Sequence, residues 1–122
     1  MRKHEADFGL RFRHWLMTNP IKLACWFEIK DTRGKASFPL KEWKEEQRNF
    51  AEALRYSTKG VLVRTDGTTG LPDYKHAYQE PTFVVIKYND GFVLIEAETL
   101  KLQKGTSLTW EKAKDIAWKI VE

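Results

Sequence analysis

Apolar and polar positions alternate over residues 22–30, Lys-Leu-Ala-Cys-Trp-Phe-Glu-Ile-Lys, with the two-residue period of a strand. Leu23, Cys25, Phe27 and Ile29 share one face, and Ala24, Trp26, Glu28 and Lys30 share the other. A different period rules residues 5–17, where Phe8, Phe12, Trp15 and Leu16 form a helical stripe. Glu5 precedes Phe8 by three residues and so falls on the buried side of that helix. Asn19-Pro20 ends the helix. A second helix is expected to open at Ser37-Phe38-Pro39, with Ser37 as its cap. Its stripe reads Leu40, Trp43, Gln47, Phe50, Leu54, with a glutamine at the centre of the buried face.

Residues 60–65 (GVLVRT) read as a short strand, and residues 66–76 as a long loop rich in Gly, Asp and Pro. TFVVIKY (82–88) and GFVLIEA (91–97) flank Asn89-Asp90, a hairpin signal. A last helix follows Thr109, with Trp110, Ala113, Ile116, Ala117 and Ile120 on its apolar face. The order α-β-α-β-β-β-α describes one mixed α/β (α+β) domain over residues 1–122.

Composition keeps the chain in the ordinary globular class, with 42% hydrophobic and 31% charged residues. The single cysteine, Cys25, excludes an internal disulfide and any Cys-based zinc site, and fits a reducing, cytoplasmic setting. No apolar run follows the basic N-terminal residues, so neither a signal peptide nor a membrane span is expected. The net charge is +4, concentrated in residues 1–64, which hold 14 Lys/Arg against 8 Asp/Glu. Such a basic half around a buried acid suits a phosphate-bearing partner.

The chemistry centres on Glu28 and Lys30. A carboxylate and an ammonium at the end of an apolar strand are costly to desolvate unless paired or used. Phosphodiester hydrolysis needs an activated water and positive charge on the developing oxyanion. Magnesium, which takes oxygen ligands, could be held by Glu28 and the carbonyl of Ile29. Lys30 would orient or deprotonate the attacking water, with Glu5 and Gln47 supporting. Arg33, Lys35, Lys41 and Lys44 surround the start of the second helix and are candidate phosphate contacts. The histidines His4, His14 and His76 lack metal spacing, and no phosphate-cradling glycine loop is present. Trp15, Trp26, Trp43, Phe50 and Trp110 lie on apolar stripes and are expected in the core.

The run FEIKDTRGKASFPLKEWKEEQ resembles the core of PD-(D/E)XK nucleases, in particular small phage proteins similar to Holliday-junction resolvases. The resemblance takes in Glu5 on the upstream helix, the E-x-K strand of Glu28 and Lys30, and Gln47 on the next helix. It implies a restriction-endonuclease-like sheet flanked by helices. It also implies Mg2+-dependent (or Mn2+-dependent) DNA cleavage, with relatives cutting branched DNA as homodimers. One departure matters: the family's aspartate before the E-x-K strand is missing, and Asn19-Pro20 stands near its place. Asp73, after Pro72, is the preferred replacement as metal ligand, ahead of Asp66. Otherwise Glu5 takes over the role, or the site has lost metal and activity. The alternative function is a non-catalytic nucleic-acid-binding module on the same scaffold. A third reading makes Glu28 and Lys30 only a buried ion pair.

Overall fold

The computed structural model describes residues 3–21, 25–56 and 81–122, with the backbone alone for 53–56. The expected strand at 60–65 and the loop carrying Asp66 and Asp73 lie outside the described residues. Among the described residues, four α-helices and six strands are formed: α1 (Lys3–Thr18), β1 (Trp26–Asp31), β2 (Ser37–Pro39), α2 (Glu45–Tyr56), β3 (Thr82–Tyr88), β4 (Gly91–Glu96), α3 (Ala97–Lys101), β5 (Ser107–Thr109), α4 (Trp110–Ile116) and β6 (Lys119–Val121). They make a mixed α+β fold, the class its residue pattern implied.

The main sheet runs β1-β3-β4-β6. β1 and β3 are parallel, with Glu28 opposite Val84 and Lys30 opposite Ile86. Parallel neighbours need a crossover, and α2 lies in that connection. β3 and β4 form the expected hairpin across Asn89-Asp90, and β6 adds antiparallel to β4. Gly91 must stay small there, because a Cβ would stand 2.2 Å from the Val121 carbonyl oxygen.

Both faces of the sheet are covered. Phe27, Ile29, Phe83, Val85, Phe92 and Leu94 meet Phe8 and Phe12 of α1. Phe12 anchors this layer, with its ring 4.9 Å from Phe27 and 5.7 Å from Phe92, both edge to face. The other face, Val84, Ile86, Tyr88, Val93 and Ile95, packs on Ala51 of α2, Trp43, Phe38, Leu100, Leu108 and Trp110. Period-two alternation therefore sends Glu28 and Lys30 of β1 to the α2 side and Phe27 and Ile29 to the α1 side.

Several boundaries differ from the pattern's expectation. Ser37-Phe38-Pro39 is not a helix start but β2, paired antiparallel with β5 so that Phe38 sits against Leu108. A three-residue strand carries no periodicity, and its partner lies far along the chain. The helix begins later: Arg48 N–H donates to the Lys44 carbonyl, so Lys44 is the capping residue. The last helix stops at Ile116, and Ala117 turns extended (ψ 139°), which frees Lys119–Val121 to become β6.

Phe50 and Trp26, expected in the core, are 53% and 48% exposed, their rings 5.7 Å apart and edge to face. Ala51, not Phe50, turns inward from α2. Trp43 and Trp110 are buried as expected, and Trp15 is half-buried. These placements predict that Phe12→Ala costs ~3–5 kcal/mol in urea unfolding, whereas Phe50→Ala costs less than ~1 kcal/mol. Equal costs would contradict the assigned packing.

Candidate functional site

The candidate site forms where the end of β1 passes under the first turn of α2. Lys44 caps α2, and Gln47 is three residues on, the position from which a side chain reaches back to the cap. Its Oε1 accepts from the Lys44 backbone N–H at 3.0 Å. A backbone N–H can only donate, so this contact fixes which end of the amide is oxygen. Nε2 then faces the sheet and donates to Glu28 Oε1 at 2.8 Å. Lys30 Nζ approaches the same oxygen at 3.8 Å. The lysine is only 4% exposed, on the face of β1 that α2 covers.

Glu28 is half-buried, and desolvation raises its pKa above the ordinary 4.5. The Lys30 charge pulls it back down, and the Glu5 carboxylate on α1 pushes it up again. Glu5 is itself half-buried and acts on the site through its charge. Glu28, Lys30, Gln47 and Glu5 are thus brought into one electrostatic neighbourhood. The side chain of Ile29 points the other way, into the α1 layer, which leaves only its backbone to serve the site. Asp73, the proposed second ligand, lies outside the described residues. Among the described residues no three His, Cys, Asp or Glu side chains gather closely enough to hold a metal ion.

The cations divide into two groups. Arg33 and Lys35 are exposed on the turn after β1, and that turn is tightly held. Buried Asp31 accepts from the Arg33 N–H at 2.7 Å, and Thr32 Oγ1 donates to the Lys87 carbonyl at 2.8 Å. Asn89 Nδ2 donates to the Gly34 carbonyl at 3.2 Å. Arg33 (φ 54°) and Gly34 (φ 80°) take left-handed backbone to complete the bend. Asp31 was missed as a contributor, although an aspartate at the head of a Gly-containing turn signals this bonding. Lys41 and Lys44 are also exposed, but Glu42, Glu45 and Glu46 interleave with them. Positive potential is therefore less diluted at the Arg33–Lys35 turn.

No family model and no curated protein matches this chain. No helix among the described residues is long and apolar enough to cross a membrane.

Two outcomes follow. Glu28 binds its proton more tightly folded than unfolded, so its ionisation weakens the fold as pH rises from 4.5 toward its raised folded value. Below 4.5 both states are protonated and that penalty is absent. The stability difference between Glu28→Gln and wild type should be flat in acid and shift toward the variant across this window. A pH-independent difference in urea midpoints would contradict the raised pKa. Gln47→Ala should cost ~1–2 kcal/mol, having lost both a cap contact and a partly buried hydrogen bond. Gln47→Glu keeps the cap acceptor but opposes Glu28 with a second carboxylate. It should be the less stable of the two at neutral pH and recover on acidification.

Proposed function

We propose that this protein is a metal-dependent DNA endonuclease of the PD-(D/E)XK kind, hydrolysing phosphodiester bonds with Mg2+ or Mn2+. The observation that carries the reading is the convergence of Gln47 and Lys30 on one oxygen of Glu28. The pieces come from one strand and from the helix of its crossover, in the E-x-K…Q order that the resemblance implies.

In this reading Glu28 is the principal carboxylate ligand, with the Ile29 carbonyl and Asp73 completing the protein's share of the metal's oxygen shell. The residues suit a divalent cation in one respect: a carboxylate disfavoured by burial gains when a positive charge settles beside it. When bound, the metal supplies positive charge at the phosphate and lowers the pKa of its water. Lys30, buried and 3.8 Å from Glu28, would orient the attacking water and place positive charge beside the phosphate. Gln47 holds the Glu28 carboxylate in one rotamer through an amide that is itself pinned to the helix cap. Glu5 adds negative charge that favours cation entry.

Arg33 and Lys35 are the leading phosphate contacts, with Lys41 and Lys44 flanking; such contacts position DNA without reading sequence. Branched DNA of the Holliday-junction type is the proposed substrate, cut by a homodimer in a cytoplasmic, phage- or prokaryote-type setting. The second reading, a non-catalytic nucleic-acid-binding module, draws on the missing aspartate before the E-x-K strand.

Purified protein should nick or cut branched DNA with Mg2+ or Mn2+ and not with EDTA. Lys30→Ala should reduce cutting at least ~100-fold, the scale on which removal of one group stabilising developing charge acts, with the circular dichroism spectrum unchanged. Salt-sensitive binding with no cutting on any DNA would select the non-catalytic module. Cutting that persists in both Glu28→Ala and Lys30→Ala would rule out the proposed chemistry.

A further inference from the structure

α1 and the β3–β4 hairpin line a cavity of about 220 Å3 on the face of the sheet opposite Glu28. Phe8 and Phe92, whose rings meet edge to face at 5.5 Å, give it an apolar wall. Arg11 and Lys87 give it two cations, and no carboxylate lines it among the described residues. Lys87 follows Phe83 and Val85 along β3 in two-residue steps, so it leaves the sheet on the α1 side, opposite Phe92 in the hairpin. Arg11 comes three residues after Phe8 on α1, at the border of the face that packs on the sheet. The two cations thus approach Phe92 from strand and helix.

Lys87 is half-buried and Arg11 exposed, and neither makes an ion pair among the described residues. A partly desolvated ammonium without a counter-ion gains when an anion settles beside it. Three carboxylates lie near by without lining the cavity. Asp31, opposite Lys87 in β1, is buried and accepts from the Arg33 N–H. Asp90 and Glu122, on either side of Gly91, are exposed. The cavity wall is also fastened to the Arg33–Lys35 turn. The Lys87 carbonyl accepts from Thr32 Oγ1, and Asn89 Nδ2 donates to the Gly34 carbonyl and keeps a second N–H. Arg33, Lys35, Lys87 and Arg11 therefore follow one another around the ends of β1 and β3. Lys87 is three positions past Val84, the partner of Glu28, which is ~10 Å along a strand.

We infer that this cavity holds a backbone phosphate of bound DNA, one other than the phosphate cleaved at Glu28. The strand passes from the Arg33–Lys35 turn over the end of the sheet to α1. Arg11 offers a planar pair of N–H donors to two phosphate oxygens, and Lys87 adds a compact charge. Such a contact sets the position of the DNA and reads no sequence. The inference rests on the DNA reading above for the source of the phosphate; a free phosphate ester has the same chemistry.

The test follows a fluorescein-labelled four-way junction by anisotropy in EDTA, over a series of salt concentrations. Arg11→Gln and Lys87→Gln should each weaken binding of the junction and of plain duplex alike. Each should lower the slope of log Kd against log salt by about 1. In parallel, pyrophosphate is titrated into the 15N-labelled chain and watched at the Arg11 Nε–H signal, assigned through Arg11→Gln. A saturable shift that Lys87→Gln abolishes, in a protein that binds no DNA, assigns the cavity to a free phosphate ester. The site then stands while the nuclease reading fails. DNA binding with an unchanged slope in either folded variant overturns the inference, even if the protein cuts DNA. So does an Arg11 signal unmoved by pyrophosphate in a protein that binds no DNA. Arg11 is exposed on α1, so Arg11→Gln decides the matter should Lys87→Gln unfold.

Discussion

The hydrogen bond from Gln47 to Glu28 joins the two halves of the proposed site, and much of the local arrangement is what makes that bond available. Gln47 can reach the sheet only because its carbonyl end is held by the Lys44 N–H at the helix cap. Glu28 can meet it only because strand alternation turns residues 28 and 30 toward α2. The crossover between the parallel strands β1 and β3 lays that helix on the same face. A side-chain amide thus does three things at once: it satisfies a helix terminus, partners a carboxylate, and ties a helix to a strand.

The electrostatics set a tension that a structural ion pair alone would relieve more fully. Lys30 is almost wholly buried, yet its amine stands 3.8 Å from Glu28, beyond a short charge-assisted bond. Glu28 remains disfavoured as an anion despite that neighbour, with desolvation and the Glu5 charge prevailing. Under the proposed reading, a divalent cation would offset the charge that Lys30 leaves uncompensated on this half-exposed carboxylate. The adjoining turn is held by its own bonds: Asp31 and Thr32 tie the chain after β1 to its own amides and to β3, so Arg33 and Lys35 project from an ordered bend.

Much of this was legible in the residues. The alternation around Phe27 and Ile29 placed Glu28 beside Lys30, and the 3.6-residue spacing placed Gln47 on the side of α2 that meets the strand. The Phe8–Phe12 stripe and the Asn89-Asp90 hairpin were equally readable. Other features were not. The strand at Ser37–Pro39 exists only through pairing with Ser107–Thr109, a contact no local pattern encodes. Phe50 fits the helical stripe by number, but α2 is rotated so that Ala51 faces the sheet and Phe50 lies against Trp26 at the surface. Apolar character alone could not separate those two positions.

The most direct test of the central claim is Mn2+ titration watched at the side-chain NH2 signals of Gln47 in 15N-labelled protein, because that amide donates to the proposed ligand oxygen. If Glu28 holds a divalent cation, substoichiometric Mn2+ should broaden those signals first, and Glu28→Gln should abolish the effect while leaving the fold intact. Gln47 signals that stay sharp while other parts of the chain broaden would contradict a metal at Glu28.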